Sequence, residues 1–185
     1  MKVMVILGSR NPNGKTAKAA EALLSGLTSE GNHQFEQVFL PQMNVERCRQ
    51  CENDGWGICW TEGRCIIEDD FPVLVNKIKN ADLVIFVNPV YFGDLSESMR
   101  AFLDRLRRTC RHEGGRDGIY NKIAIGICVA GGGGGGAAEC TVSLERVLYN
   151  CGFDVFDIVP ARRQNLEMKL AVLKTSGKWL ASKLI

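Results

Sequence analysis

Val3-Met4-Val5-Ile6-Leu7-Gly8-Ser9-Arg10-Asn11-Pro12-Asn13-Gly14-Lys15-Thr16 decides the fold. Its first five residues are a short apolar run. A glycine-bearing turn follows, and beyond it Ala17, Ala20, Leu23, Leu24 and Leu27 recur at helical spacing. A buried strand leading through a tight turn into a helix N-terminus makes an anion site, because unpaired backbone N–H groups and the positive end of the helix dipole face the turn. The stretch therefore predicts a bound phosphate. It is not a P-loop: that motif has four residues between its first glycine and Gly-Lys, and here Ser9 to Asn13 intervene. The next apolar run, Leu83-Val84-Ile85-Phe86-Val87, ends in Asn88, where a P-loop enzyme offers a carboxylate to magnesium. The dinucleotide pattern G-x-G-x-x-G is missing too. The competing reading is that the glycines only shape a turn, since every helix start needs its N–H groups satisfied.

Residues 3–7, 83–87 and 123–129 read as strands buried on both faces, as parallel strands with crossover helices are. Each leads into an unusual loop: the phosphate turn, then Asn88-Pro89-Val90-Tyr91-Phe92-Gly93-Asp94, then six glycines, Gly131 to Gly136. In an open α/β sheet, ligands bind beyond the carboxyl ends of the strands. The full layout places strands at about 2–7, 34–40, 82–87, 122–130 and 153–159, the second polar enough for an exposed position. Helices alternate with them at about 14–30, from Asp70 through Ile78, 96–110, 137–151 and 164–184. This predicts a three-layer α/β/α domain over 1–185, a doubly wound five-stranded parallel sheet in the order 2-1-3-4-5. Read as a linker, the glycines would leave residues 137–185 without a core of their own.

This combination resembles the flavodoxin-like, NAD(P)H-dependent FMN reductase family. The resemblance rests on Gly8-Ser9 with Asn13-Gly14-Lys15-Thr16, on Pro89-Val90-Tyr91-Phe92-Gly93, on the helix Met99-Arg100-Ala101-Phe102-Leu103-Asp104-Arg105, and on the loop from Gly131. It implies that FMN is held with its phosphate on Ser9, Arg10, Asn13, Gly14, Lys15 and Thr16. Pro89, Val90, Tyr91, Phe92 and Gly93 would line the isoalloxazine, with Tyr91 or Phe92 stacked on it or walling it off. Gly131, Gly132 and Gly133 would present N–H groups to its pyrimidine end. Many members carry an arginine fourth in the first loop; this chain has Asn11 there and Arg10 third. The flavin supplies the chemistry, so no protein acid or base is required. His33 and His112 are isolated and read as surface residues. For Tyr91 and Phe92 the alternative is ordinary core packing.

The connection from 41 to 69 holds Cys48, Cys51, Cys59 and Cys65, half of the eight cysteines. Four neighbouring thiols offer a tetrathiolate site. Here the resemblance sharpens to the iron–sulfur flavoproteins, which carry a cysteine cluster at this place ahead of an acidic pair like Asp69-Asp70. Their first three cysteines stand two residues apart; here Glu52 to Ile58 separate Cys51 from Cys59. That segment is either an insertion that returns the thiol to its place or the loss of the cluster. A [4Fe–4S] cluster, a zinc ion and metal-free redox thiols all stay open. Cys110, Cys128, Cys140 and Cys151 fall on strand or helix positions and read as small buried residues.

A net charge of +2 gives no reason to invoke nucleic acid, and no apolar run is long enough to span a bilayer. With no signal peptide after Met1, a cytoplasmic setting is expected. Arg105, Arg107, Arg108 and Arg111 read either as a solvated helix end or as a seat for the 2′-phosphate of NADPH. The resemblance implies an oxidoreductase carrying electrons from NAD(P)H to a small acceptor such as a quinone or flavin, and a homodimer or homotetramer. The alternatives are a ferredoxin-linked electron carrier and a non-enzymatic metal or redox sensor.

Overall fold

In a computed structural model, which describes residues 1–29 and 31–184, five strands lie parallel in the order β2-β1-β3-β4-β5. They are β1 (Lys2–Leu7), β2 (Gln34–Phe39), β3 (Leu83–Pro89), β4 (Ile123–Ala130) and β5 (Asp154–Arg162). The helices are α1 (Lys15–Thr28), α2 (Ile58–Thr61), α3 (Phe71–Lys79), α4 (Glu97–Thr109), α5 (Glu113–Arg116), α6 (Ala137–Cys151) and α7 (Leu166–Leu184). Among the described residues no helix is long and apolar enough to cross a membrane.

Side chains alternate across a strand, so each central strand feeds two cores. Met4, Ile6, Val84 and Phe86 pack with α3, α4 and α6, while Val3, Val5, Leu7, Ile85 and Val87 pack with α1 and α7. Burial on both faces is why β1, β3 and β4 read as unbroken apolar runs. At the edge, β2 buries only Val38, as its polarity predicted.

Two strands run further than expected. β3 continues through Asn88 and Pro89, which pair with Cys128 and Val129, and β5 continues to Arg162 beside Ala130. The segment expected to open the last helix starts as a 3₁₀ turn, Arg163–Asn165. The expected end of the first helix, at Glu30, lies outside the described residues.

Helices α1 and α7 meet backbone to backbone. A Cβ at Gly177 would stand 2.2 Å from the Leu23 carbonyl oxygen, and one at Gly26 2.1 Å from that of Lys174. Gly→Ala in a helix ordinarily stabilises by about 1 kcal/mol. Gly177→Ala is expected to do the opposite and destabilise by about 1–3 kcal/mol, the range of an overpacked core. An unchanged or raised urea midpoint contradicts this reading of the contact.

Candidate functional site

The carboxyl ends of β1, β3 and β4 deliver the three loops to one edge of the sheet. In the phosphate turn, Asn11 does the shaping. Its Oδ1 accepts from the Asn13 N–H at 3.0 Å and its carbonyl from the Gly14 N–H at 3.2 Å. Those two N–H groups, expected to face the phosphate, are instead spent inside the turn. The Ser9 Oγ accepts from the Asn11 N–H at 3.3 Å. The first intrahelical bond of α1 runs from the Lys18 N–H to the Gly14 carbonyl. The N–H groups of Lys15, Thr16 and Ala17 therefore lack an intrahelical acceptor. Gly14 provides no side-chain cap, and no acidic residue stands in the first turn. Arg10 and Lys15 are exposed. Asn11 thus fills the fourth position as a turn-former, beside the exposed Arg10.

The aromatic loop is a tight reversal. The Tyr91 and Asp94 N–H groups each donate to the other's carbonyl, at 3.0 and 2.9 Å. Phe92 and Gly93 have φ of 50° and 78°. A bulky residue at positive φ is a strained outlier, and here the strain displays the side chain: Phe92 is wholly exposed and Tyr91 half-exposed. Core packing is thereby excluded for the pair. Burial would raise the Asp94 carboxyl, but the Leu95 N–H and the Arg100 guanidinium outweigh it and hold it below the usual carboxylate range.

The glycine loop touches the aromatic loop through bare backbone. A Cβ at Gly136 would stand 2.6 Å from the Gly93 Cα, whereas Cβ atoms at Gly131, Gly132, Gly133 or Gly135 would meet open space. Behind it, Gln164 donates to the Gly133 carbonyl at 2.7 Å and Arg163 to that of Gly132 at 3.4 Å. The loop is thus fastened from the 3₁₀ turn after β5 and open on its other side. A flat ligand meets no side chain over Gly131–Gly133. An uncapped helix start, two exposed cations and this bare loop together fit a phosphorylated flavin.

Asn88 joins the three loops, a role its sequence context did not reveal. It is fully buried. Its Oδ1 accepts from the Ser96 N–H and Oγ, both at 3.1 Å. Its Nδ2 donates to the Pro89 carbonyl at 2.6 Å and to the Cys140 Sγ at 3.4 Å. Gly8 packs against it so closely that a Cβ would stand 2.7 Å from Oδ1. The signal available was a lone amide closing an otherwise apolar strand. Cys110, Cys128, Cys140 and Cys151 are buried as expected. The contact with Cys140, and then burial, push the Cys128 thiol far up.

The cysteine loop packs on α4. The segment Gln50–Gly57 turns out and back through left-handed residues at Gln50, Glu52 and Gly55, and Gly57 then packs on the Cys51 side chain. This excursion places Cys59 on α2, where it lines one cavity with Cys48, Cys51 and Cys65. The fold thus brings Cys59 to the same cavity as the other three thiols, without deciding between an insertion and a lost cluster. The cavity measures about 20 Å³. As placed, no three Cys, His, Asp or Glu among the described residues stand close enough to hold a metal ion. Four thiols are the donor type of a tetrathiolate group, but their placement here does not form one.

The basic cluster is not one unit: Arg111 is exposed as expected and Arg107 and Arg108 are half-buried, but Arg105 is not solvated. Arg105 is only 1% exposed. Its guanidinium forks onto Asp69, whose side chain is 0% exposed, donates to the Glu46 carbonyl at 3.0 Å, and stacks on Phe71 at 4.2 Å. Burial would raise the Asp69 carboxyl, yet Arg105 and the Glu46 and Phe71 N–H groups hold it below the usual range. Arg107 pairs with Asp104, and Arg108 stacks over Trp56. His33 and His112 are half-buried rather than surface groups. The His112 Nδ1 accepts from the Gly114 N–H at 3.1 Å, and His33 packs edge-on to Phe35.

A family model described as NADPH-dependent FMN reductase matches residues 1–161. An iron-sulfur flavoprotein of Methanocaldococcus jannaschii is 32% identical over 132 residues, 71% of this chain and 65% of that protein. Another, from Archaeoglobus fulgidus, is 31% identical over 57% of this chain and 46% of its own length. The chain thus spans less than two thirds of the length of these curated relatives. Among solved structures, an NAD(P)H:quinone oxidoreductase from Methanothermobacter marburgensis shares the fold with a TM-score of 0.71 at 22% identity, over 97% of this chain and 96% of that one.

Proposed function

Because the chain belongs to the NADPH-dependent FMN reductase family, we propose that its three-loop site holds FMN and that the protein passes electrons from NAD(P)H to a small acceptor such as a quinone or free flavin. Bound FMN would supply the chemistry, taking a hydride from the nicotinamide and releasing electrons to the acceptor. The observation that carries this reading is the convergence of an uncapped helix start, a bare glycine loop and a strained aromatic turn on one sheet edge. Lys15, Thr16 and Ala17 N–H groups would bind the phosphate, with Arg10 and Lys15 neutralising it and the Ser9 and Thr16 hydroxyls adding bonds. Gly131–Gly133 would let the ring approach the backbone, while Pro89 to Gly93 border it. The wholly exposed Phe92 supports a homodimer or homotetramer in which a second copy covers this edge.

The test is affinity for FMN against riboflavin, which lacks the phosphate. Arg10→Ala with Lys15→Ala is expected to weaken FMN at least tenfold, since one charge-assisted bond contributes about 1.5–3 kcal/mol, and to leave riboflavin unchanged. Equal losses for both ligands, or none, would place the phosphate elsewhere. Steady-state oxidation of NADPH and NADH then tests the reaction.

A second reading is favoured by one observation, the four thiols on a single cavity. In it the protein is an iron–sulfur flavoprotein that hands single electrons to a carrier of the ferredoxin type. Two resolved flavin bands alone in anaerobic protein would count against it. A broad added shoulder bleached by dithionite would support it.

A further inference from the structure

Two carbonyls of the glycine loop are turned the same way. Those of Gly132 and Gly133 both face the 3₁₀ turn after β5, where Arg163 donates to the first at 3.4 Å and Gln164 to the second at 2.7 Å. No peptide bond among the described residues is cis, and a trans peptide sends its N–H opposite to its carbonyl. The Gly133 N–H shares a peptide with the Gly132 carbonyl and so points away from the turn. The Gly134 N–H shares one with the Gly133 carbonyl and points the same way, but it closes on the Gly131 carbonyl at 2.8 Å. The Gly133 N–H has no acceptor among the described residues. It is a free donor on the side where a Cβ at Gly131, Gly132 or Gly133 would meet open space.

The glycines do not choose this orientation themselves. Without side chains, a run of six takes either peptide direction at little cost. Gln164 makes the choice, and it is fitted to do so. Its amide lies where a side chain of the buried Gly134 would be, so that a Cβ there would stand 2.0 Å from Oε1. The turn that carries it is itself tied, by the Arg162 N–H donating to the Asn165 Oδ1 at 2.7 Å.

We propose that Gln164, aided by Arg163, is a positioning residue for the flavin: by holding both carbonyls back it aims the Gly133 N–H at the open face and makes that face favour the reduced ring. This rests on FMN occupying the three-loop site. A hydride passed from NAD(P)H to the neutral oxidised ring leaves that ring with one added negative charge. An N–H on the face donates to such a charge, whereas a carbonyl turned the same way would oppose it. Loss of the Gln164 bond must therefore weaken the reduced form more than the oxidised one.

The test uses the full chain loaded with FMN, comparing wild type with Gln164→Met, which keeps the side-chain length and neutrality but donates nothing. The variant is expected to bind oxidised FMN within about twofold of the wild type and reduced FMN about tenfold more weakly, the order of one hydrogen bond to a charged group. Its midpoint potential should then lie about 30 mV lower, the equivalent of tenfold for two electrons. A general loss of structure would weaken both forms alike and leave the potential where it was. Before FMN is added, the Gly134 amide should exchange its hydrogen faster in the variant, because its bond to Gly131 belongs to the peptide that Gln164 holds. If FMN binds and the variant keeps the wild-type potential, the proposal fails while the FMN reading stands. If the wild type takes up no FMN, that reading falls and the proposal with it.

Discussion

Arg105→Met is expected to destabilise the fold by about 3–5 kcal/mol at neutral pH, because it leaves the Asp69 carboxylate buried and unpaired. Few single substitutions on this chain should cost more. The Asp69 side chain is 0% exposed and is also bound by the Glu46 and Phe71 N–H groups, at 2.8 and 3.1 Å. Arg105 further donates to the Glu46 and Ile67 carbonyls, at 3.0 and 3.5 Å. The pair therefore fastens both ends of the cysteine loop to α4, and losing it frees the loop as well as stranding a charge. Asp69→Asn with Arg105→Met removes the stranded charge and should recover part of the loss.

The pH dependence gives the sign. Asp69 in the native protein is held below its ordinary value, so its contribution is complete above the unfolded value of about 4. It is lost as pH falls through the lower folded value. In Arg105→Met, burial without a partner raises the carboxyl, so that variant loses stability as pH rises above about 4 and regains it on acidification. Urea midpoints of the two proteins should therefore be far apart at pH 7 and converge towards pH 4.5. A constant gap across that range would mean that Asp69 carries no charge that Arg105 stabilises.

The same pair shows where sequence reading stopped. β1, β3 and β4 were legible because strands covered on both faces must be apolar throughout, and the phosphate turn because its glycines, lysine and threonine sit between a strand and a helical pattern. Arg105 misled because it lies in a run of arginines, and composition treats such a run as one solvated patch. The helical spacing held the contrary signal: Phe102, Arg105, Leu106 and Thr109 lie three and four residues apart and are all buried. Asp69, its partner, is 36 residues away, and no local pattern announces a contact that depends on folding the loop back. That Cys59 lines one cavity with Cys48, Cys51 and Cys65 was hidden for the same reason. It depends on left-handed turns at Gln50, Glu52 and Gly55 and on Gly57 fitting against Cys51. Helix α5, four residues long, is too short to show a period. The turn donors were misassigned at Asn13 and Gly14 because an Asn side chain that folds back on its own backbone looks, in sequence, like one free to meet a ligand.

Asn88→Leu is expected to loosen all three loops at once, lowering FMN affinity at least tenfold and stability by about 3 kcal/mol, the order expected when several buried polar groups lose their partners. Leucine keeps the branched shape and heavy-atom count, though it is larger, but accepts nothing from the Ser96 N–H and Oγ and donates nothing to the Pro89 carbonyl or Cys140. Ser96 caps α4, Pro89 starts the aromatic loop, Cys140 lies in the first turns of α6 just beyond the glycine loop, and Gly8 begins the phosphate turn. One amide thus sets the spacing of every segment proposed to touch the cofactor. Asn88→Asp separates shape from charge. Its carboxylate keeps the two bonds from Ser96 but opposes the Pro89 carbonyl and the Cys140 sulfur, and burial raises its proton affinity. A raised folded value means stability falls as pH climbs above about 4, so both stability and FMN affinity of this variant should improve from pH 8 to pH 5, while the wild type changes little. The measurement is FMN affinity by flavin fluorescence alongside thermal unfolding at both pH values. If Asn88→Leu unfolds earlier yet binds FMN as tightly as the wild type, Asn88 supports the core and has no part in arranging the loops.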